Sequence, residues 1–279
     1  MAVTLPIVAP GVRIAPRGNT YVNILKSEWT KIRSVRSTYW TLITAAVLTV
    51  GLSAIICAVF VAQYSHLKPS DLAEFDPAAT SLTGGILAQF AIAVLGVMVM
   101  TGEYATGIIR TTLAAVPQRL NVLGAKIVVF TALTFGVTLV ACFSAFFIGQ
   151  AILSSKDMGV GITDTYVLRT VVGTAMYLTI LGLLALGIGG LLRKTAGGIC
   201  AMVGVLFVLP VVASFLPSSL QAIQRYLPSE AGTAIINSRP QANGNGIDVL
   251  GPWFGLGVFA LYAIVALAGA GYLLDRRDA

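Results

Sequence analysis

Charge is what this sequence has least of. Only 10% of its 279 residues are Asp, Glu, Lys or Arg, 57% are hydrophobic, and the mean hydropathy is +0.88. Soluble domains carry roughly 25% charged residues, so the composition is that of a membrane protein. The single histidine, His66, lies in a polar connection beside Lys68, which leaves no metal pair and no serine–histidine dyad near membrane depth. Cys57, Cys142 and Cys200 all fall inside apolar runs, where they act as small apolar side chains; they offer neither a disulfide framework nor metal spacing. The Gly-rich phosphate loop that ends in Gly-Lys is absent, as is any Gly-Lys dipeptide, so this chain does not cradle nucleotide phosphates in the usual way. Strand-period alternation is missing too, which argues against an outer-membrane barrel.

What the chain has is six apolar runs, at about 39–62, 82–101, 126–149, 168–192, 198–216 and 253–274. Each is long enough to cross a ~30 Å hydrocarbon core as a helix. The fold class expected is therefore an all-α integral membrane protein with six transmembrane helices. None of the run interiors contains Asp, Glu, Lys, Arg or His, which rules against a proton relay through buried carboxylates and weakens a sodium-coupled mechanism. Gln89 is the one amide well inside a run; it either faces a translocation path or bonds to a neighbouring helix. Ala185-x-x-x-Gly189 and Ala266-x-x-x-Ala270 are spacings that permit close helix contact.

Net charge is +7, and its placement is informative. Thirteen of the eighteen Lys and Arg residues lie before the first run, in alternate connections or after the last run; five lie in the other connections. Positive-inside asymmetry puts both termini, including the tail 275–279, in the cytoplasm and makes nucleic acid an unneeded explanation of the charge. Residues 1–19, with three prolines, read as disordered, and the absence of an early apolar core predicts no cleavable signal peptide.

Two segments outside the runs are helix-patterned. Over 20–38, Tyr21, Val22, Ile24, Leu25, Trp29, Ile32 and Val35 share one broad arc, and Lys26, Ser27, Thr30, Lys31 and Arg33 face the other way. Glu28 and Arg36 interrupt the apolar arc. The pattern predicts an interfacial helix anchored by Trp29 and drawn to anionic headgroups by Lys26, Lys31 and Arg33. From Gly102 to Arg119, Ala105, Ile108, Ile109, Thr112, Leu113 and Val116 form one row, with Glu103, Thr106, Gly107, Arg110 and Ala114 opposite and Pro117 as the stop. That predicts a short surface helix with Glu103 and Arg110 on nearly the same wet face. In the connection 217–252, Ser218 or Ser219 would cap a helix carrying Leu220, Ile223, Tyr226 and Leu227 and ended by Pro228, with a flexible turn at Asn243, Gly244 and Gly246.

EYATGIIRTTLAAVPQR from Glu103, followed by LGAK, resembles the segment after the second span in type-2 ATP-binding-cassette (ABC) permeases. SEWTKIRSVRSTYW, from Ser27 to Trp40, resembles the start of that family, and YLPSEAGTAI from Tyr226 its external segment before the last span. The resemblance implies an N-terminal interfacial helix and a cytoplasmic coupling helix between spans 2 and 3; Glu103, Thr106, Gly107 and Arg110, on the wet face of that segment, are the residues expected to meet an ATPase, with interfacial anchoring without a partner as the alternative. It implies export of an amphiphilic small molecule, antibiotic, peptide or lipid, and a second permease copy or related permease beside membrane lipids. ATP and magnesium would be held by a separate ATPase subunit, with no cofactor on this chain. A re-entrant helix pair before the last span is implied as well; a surface helix is the alternative there. Two other classes stay open from the residues alone, a sodium-coupled secondary transporter and a non-transporting scaffold that docks a cytoplasmic partner.

Overall fold

Apolar runs with no water to bond their backbone close their hydrogen bonds internally, and each of the six becomes a helix. In the computed structural model, residues 21–66, 68, 75–115, 118–164, 166–215, 221–237 and 250–276 are described, and among them there is no strand. The expectations for residues 1–19, Pro117, the Ser218 or Ser219 cap and the turn at Asn243, Gly244 and Gly246 lie outside the described residues. Helix α1 is Tyr21–Ser34; α2 is Arg36–His66; a short α3 is Pro77–Thr80; α4 is Gly85–Ala105; α5 is Ile108–Ala115; α6 is Arg119–Lys156. They are followed by α7 (Val167–Leu192), α8 (Thr195–Ser214), a short α9 (Pro228–Thr233) and α10 (Pro252–Arg276). Helices α2, α4, α6, α7, α8 and α10 are long and apolar enough to cross a membrane.

Several helix limits differ from those expected, most of all at the amphipathic segment and the third span. The amphipathic segment ends at Ser34, because Val35 is extended (φ −86°, ψ 113°); Arg36 to Thr38 already belong to α2. The third span begins at Arg119 instead of Lys126 and runs on to Lys156. At ~1.5 Å per residue its 38 residues reach roughly 57 Å, longer than a ~30 Å core, and both ends stay packed, Val122 and Ala125 near the start and Leu153 near the finish being buried.

Helix α7 is the axis of the packing, with 72% of its apolar window buried. Small residues on two of its faces allow this. On one, Gly96 of α4 meets Gly182 and Ala185, while Gly189 lies against Val97. On the other, Gly187 meets Ala266 and Gly190 meets Ala270, both of α10. Both small-residue spacings seen in the sequence are thus contact seams, where close backbone approach replaces the hydrophobic drive that lipid removes. Phe130, Ile92, Leu181 and Phe259 are fully buried in the core around α7.

Away from the α1 end, the chain dips into the bundle twice. A π-helical turn at Leu48–Leu52 of α2 faces Gly84, whose missing side chain lets it sit against the Leu48 and Thr49 carbonyls while its N–H donates to Ser53 Oγ at 3.0 Å. Later, Gln221–Tyr226 forms a 3-10 turn and Pro228 starts α9 instead of ending a longer helix, as suits proline at a first helical position. Helix α9 is tucked between α7 and α10: Gly232 fits against the Tyr177 and Phe259 rings, Ala231 lies against Gly255, and Ile235 beyond it seals the space beside Gly173. Tyr177 is ten residues into α7, so Gly232 of α9 lies roughly 15 Å from the start of α7, whereas Ile223 and Tyr226 before Pro228 are exposed.

Candidate functional site

A lysine and a glutamate from helices far apart in sequence do not enter a low-dielectric interior singly; they enter as a neutral set. Such a set joins four elements at one end of the bundle. Lys126, 4% exposed in its side chain, donates to Glu28 Oε2 at 2.7 Å and to Glu103 Oε1 at 2.8 Å. Lys31 donates to Glu28 Oε1 at 2.6 Å, to Glu103 Oε1 at 3.2 Å and to Thr112 Oγ1 at 3.2 Å. Glu28 and Lys31 come from α1, Glu103 from the last turn of α4, Thr112 from α5 and Lys126 from the third turn of α6. Two carboxylates and two ammonium groups alternate around the junction, so the net charge is zero. Burial alone would lower the Lys31 pKa, but the Glu28 and Glu103 carboxylates outweigh it and hold the pKa above the ordinary lysine value.

Helix α1 reaches this site with Ile24, Glu28 and Ile32, one residue per turn on its buried face, and Ile24 packs on Val122 and Ala125 of α6. Glu28 is fully buried. The acid that interrupts the apolar arc is therefore the residue the helix turns inward. Lys31, at the edge of that buried face and 30% exposed in its side chain, turns its amine in to the two carboxylates. Lys26, Trp29 and Arg33 are exposed on the outward side with Val22, an aromatic and two cations beside an apolar residue.

The segment after α4 is not one continuous helix. It breaks at Thr106 and Gly107, where Gly107 takes φ +71°, a left-handed conformation open to glycine at little cost. The break uncouples the expected row, so Glu103 and Arg110 do not share a wet face. Glu103 ends α4 and is 9% exposed, whereas Thr106, Gly107 and Arg110 are exposed. Within α5 the row survives in part: Ile109 is buried and Thr112 and Leu113 are half-buried, whereas Ile108, expected in the same row, is exposed with Arg110, Thr111 and Ala114. By the observed helix limits, α4 and α6 do carry ionisable groups, Glu103 and Lys126, close to their ends.

Other arginines gather at the same end. Arg119 Nη1 donates to the Leu274 carbonyl and Arg193 Nη2 to the Leu273 carbonyl, both at 2.9 Å, so two cations cap the C-terminus of α10, where the helix dipole favours them. The Arg193 guanidinium also stacks 5.0 Å from the Tyr104 ring. In the second turn of α4, Gln89 Oε1 accepts a hydrogen bond from the Tyr177 hydroxyl at 2.6 Å, which gives it a partner on α7. Replacing Tyr177 by phenylalanine should leave Gln89 without this donor and cost about 1 kcal/mol. Thermal unfolding in detergent should show a small fall in midpoint; a fall as large as that of a core truncation would mean that the ring, not the hydroxyl, was disturbed.

Beside the charged junction lies a cavity of about 290 Å³ between α1, α2, α4 and α5, lined by Ile32, Val35, Leu95, Val99 and Ile108 with Ser37, Thr38 and Thr41 along one wall. Gly102, Glu103, Lys31 and Lys126 line it too. Glu103 Oε1 takes both lysines, while its Oε2 is buried with no hydrogen-bond partner among the described residues. No family model matches this chain, and no curated protein matches it either.

Proposed function

We propose that the chain is the membrane-spanning permease subunit of a type-2 ABC transporter, moved by ATP hydrolysis in a separate subunit. The observation that carries this reading is the four-charge junction. It ties an amphipathic helix (α1) and a short helix that exposes Arg110 (α5) to two spanning helices at once. A push on α5 is resisted by Lys31 and passed to α4 and α6, because the buried ion pairs do not stretch without exposing charge. In this reading α1 lies in the inner interface, held by Trp29, Lys26 and Arg33, both termini are cytoplasmic, and α5 with Thr106, Gly107 and Arg110 is the surface that meets the ATPase. ATP and magnesium stay on that partner. A second permease copy, or a related permease, completes the pathway, since six spans alone enclose too little space for the usual route. The cargo is an amphiphile leaving the cell or its inner leaflet.

Arg110 is the cleanest test because it is exposed and outside the ion cluster. Arg110→Ala should leave membrane yield and melting temperature unchanged while the ATPase subunit retained on the tagged permease falls several-fold. Equal retention by wild type and variant would remove α5 from the coupling role.

A further inference from the structure

We propose that the crevice between α1, α2 and α6 is a discrete binding site for an anionic phospholipid, its phosphate at Arg33 and the upper part of one acyl chain inside. The proposal rests on α1 lying at the membrane surface, and not on whether an ATPase meets α5. The crevice holds about 310 Å³, within reach of small-ligand sites. Trp29, Arg33 and Tyr39 form its exposed rim, over a floor of buried Ile32 and Leu42 with half-buried Leu133. Two aromatics, 45% and 46% exposed, beside an arginine are the residues that settle where headgroups meet chains. Leu42 lies three residues, ~4.5 Å, further along α2 than Tyr39, so a chain that enters past the ring comes to lie on aliphatic side chains of two spans.

Charge decides the headgroup. Arg33 is the one charged residue of the crevice, and it has no ion pair or hydrogen bond among the described residues. Arg36 is also exposed and without such a partner among them, and it stands three residues before Tyr39 on the same side of α2, so a second cation adjoins the rim. The acids that α1 and α4 bring to this end, Glu28 and Glu103, are already paired with Lys31 and Lys126. A zwitterionic lipid would bring an ammonium group that finds no carboxylate here. An anionic one brings phosphate without it, which a guanidinium meets with paired N–H groups. A soluble anion would leave the apolar floor uncovered, so headgroup and chain are selected together. Diffuse attraction of a basic helix to a negative surface would engage Lys26 as readily as Arg33. The crevice separates the two, because Lys26 is exposed two turns away and does not line it.

The test uses the full-length protein in nanodiscs, with the exposed Trp40 and Trp253 replaced by phenylalanine so that Trp29 is the sole tryptophan. Phosphatidylcholine brominated high on its chains should quench Trp29, which reports that α1 touches the membrane. Brominated phosphatidylglycerol titrated into unlabelled phosphatidylcholine should quench along a saturating curve, half complete at roughly one-tenth of the lipid, a preference of about tenfold. Arg33→Gln should lower that preference at least about fivefold at an unchanged melting temperature, whereas Lys26→Gln, which removes the same charge off the crevice, should change it less than about twofold. Leu133→Phe, which narrows the floor from α6, should weaken it with every charge in place. Identical curves for the two brominated lipids would overturn the proposal, as would equal losses from Arg33→Gln and Lys26→Gln, which leave only diffuse attraction. No quenching by either lipid would overturn the interfacial placement of α1 and the site with it.

Discussion

Lys126→Met is expected to destabilise the protein by about 3–5 kcal/mol, the cost of removing one partner from a buried ion pair. The reason is what stays behind. Glu28, with no exposed surface, would keep a single partner, Lys31, and Glu103 would face it across a site that then carries net negative charge. In detergent the melting temperature should drop on the order of 10 °C. Lys31→Met should cost clearly less, because the Lys31 side chain is 30% exposed and solvent screens its share. A double-mutant cycle between Glu28→Gln and Lys126→Met should show strong coupling, with the double variant more stable than the sum of the single losses predicts. Additive losses, or a Lys31 variant worse than the Lys126 variant, would mean that the four groups do not act as one neutral set.

Gly96→Leu is expected to abolish folded protein altogether. A Cβ at this position would fall 2.8 Å from Ala185 Cβ and onto the Gly182 carbonyl, and backbone on α7 does not yield as a flexible side-chain end would. A leucine there must prise α4 from α7, the most buried of the spanning helices, and overpacking of this kind costs ~1–3 kcal/mol even where neighbours can shift. Gly136→Leu on α6 is the matched control, since nothing lies within 4 Å of its would-be Cβ. Monodisperse recovery from detergent extracts should be lost for Gly96→Leu and kept for Gly136→Leu. Equal recovery of both would place the α4–α7 seam elsewhere.

The spanning helices were legible in the sequence because a run of some twenty apolar residues is a strong signal that needs no knowledge of partners. Their ends were less so: Arg119 and Lys126 look like the polar margin of a run, yet α6 starts at the first and carries the second into a buried pair. The site was half legible. Glu28 stood out as an acid on the apolar face of a basic helix, a misfit that periodicity flags but cannot resolve, because its partner Lys126 is 98 residues away. Helix periodicity carried through Gly107 places Glu103 on the wet face, and the left-handed turn at Gly107 resets the phase. Tyr177 gave no sign of pairing with Gln89, since a tyrosine in an apolar run reads as packing alone. The burial of α9 is not legible in its residues, and only the resemblance points to a re-entrant pair there: Ala231, Gly232 and Gly255 are ordinary small residues until the helices that enclose them are in place.

The most direct test of the whole account is the composition and activity of the complex purified through a tag on this chain from its native membrane. The account predicts a nucleotide-hydrolysing subunit in equal amount, with ATP hydrolysis that depends on magnesium and departs with that subunit. A chain recovered without any such companion, yet moving amphiphiles across proteoliposomes by itself, would contradict it.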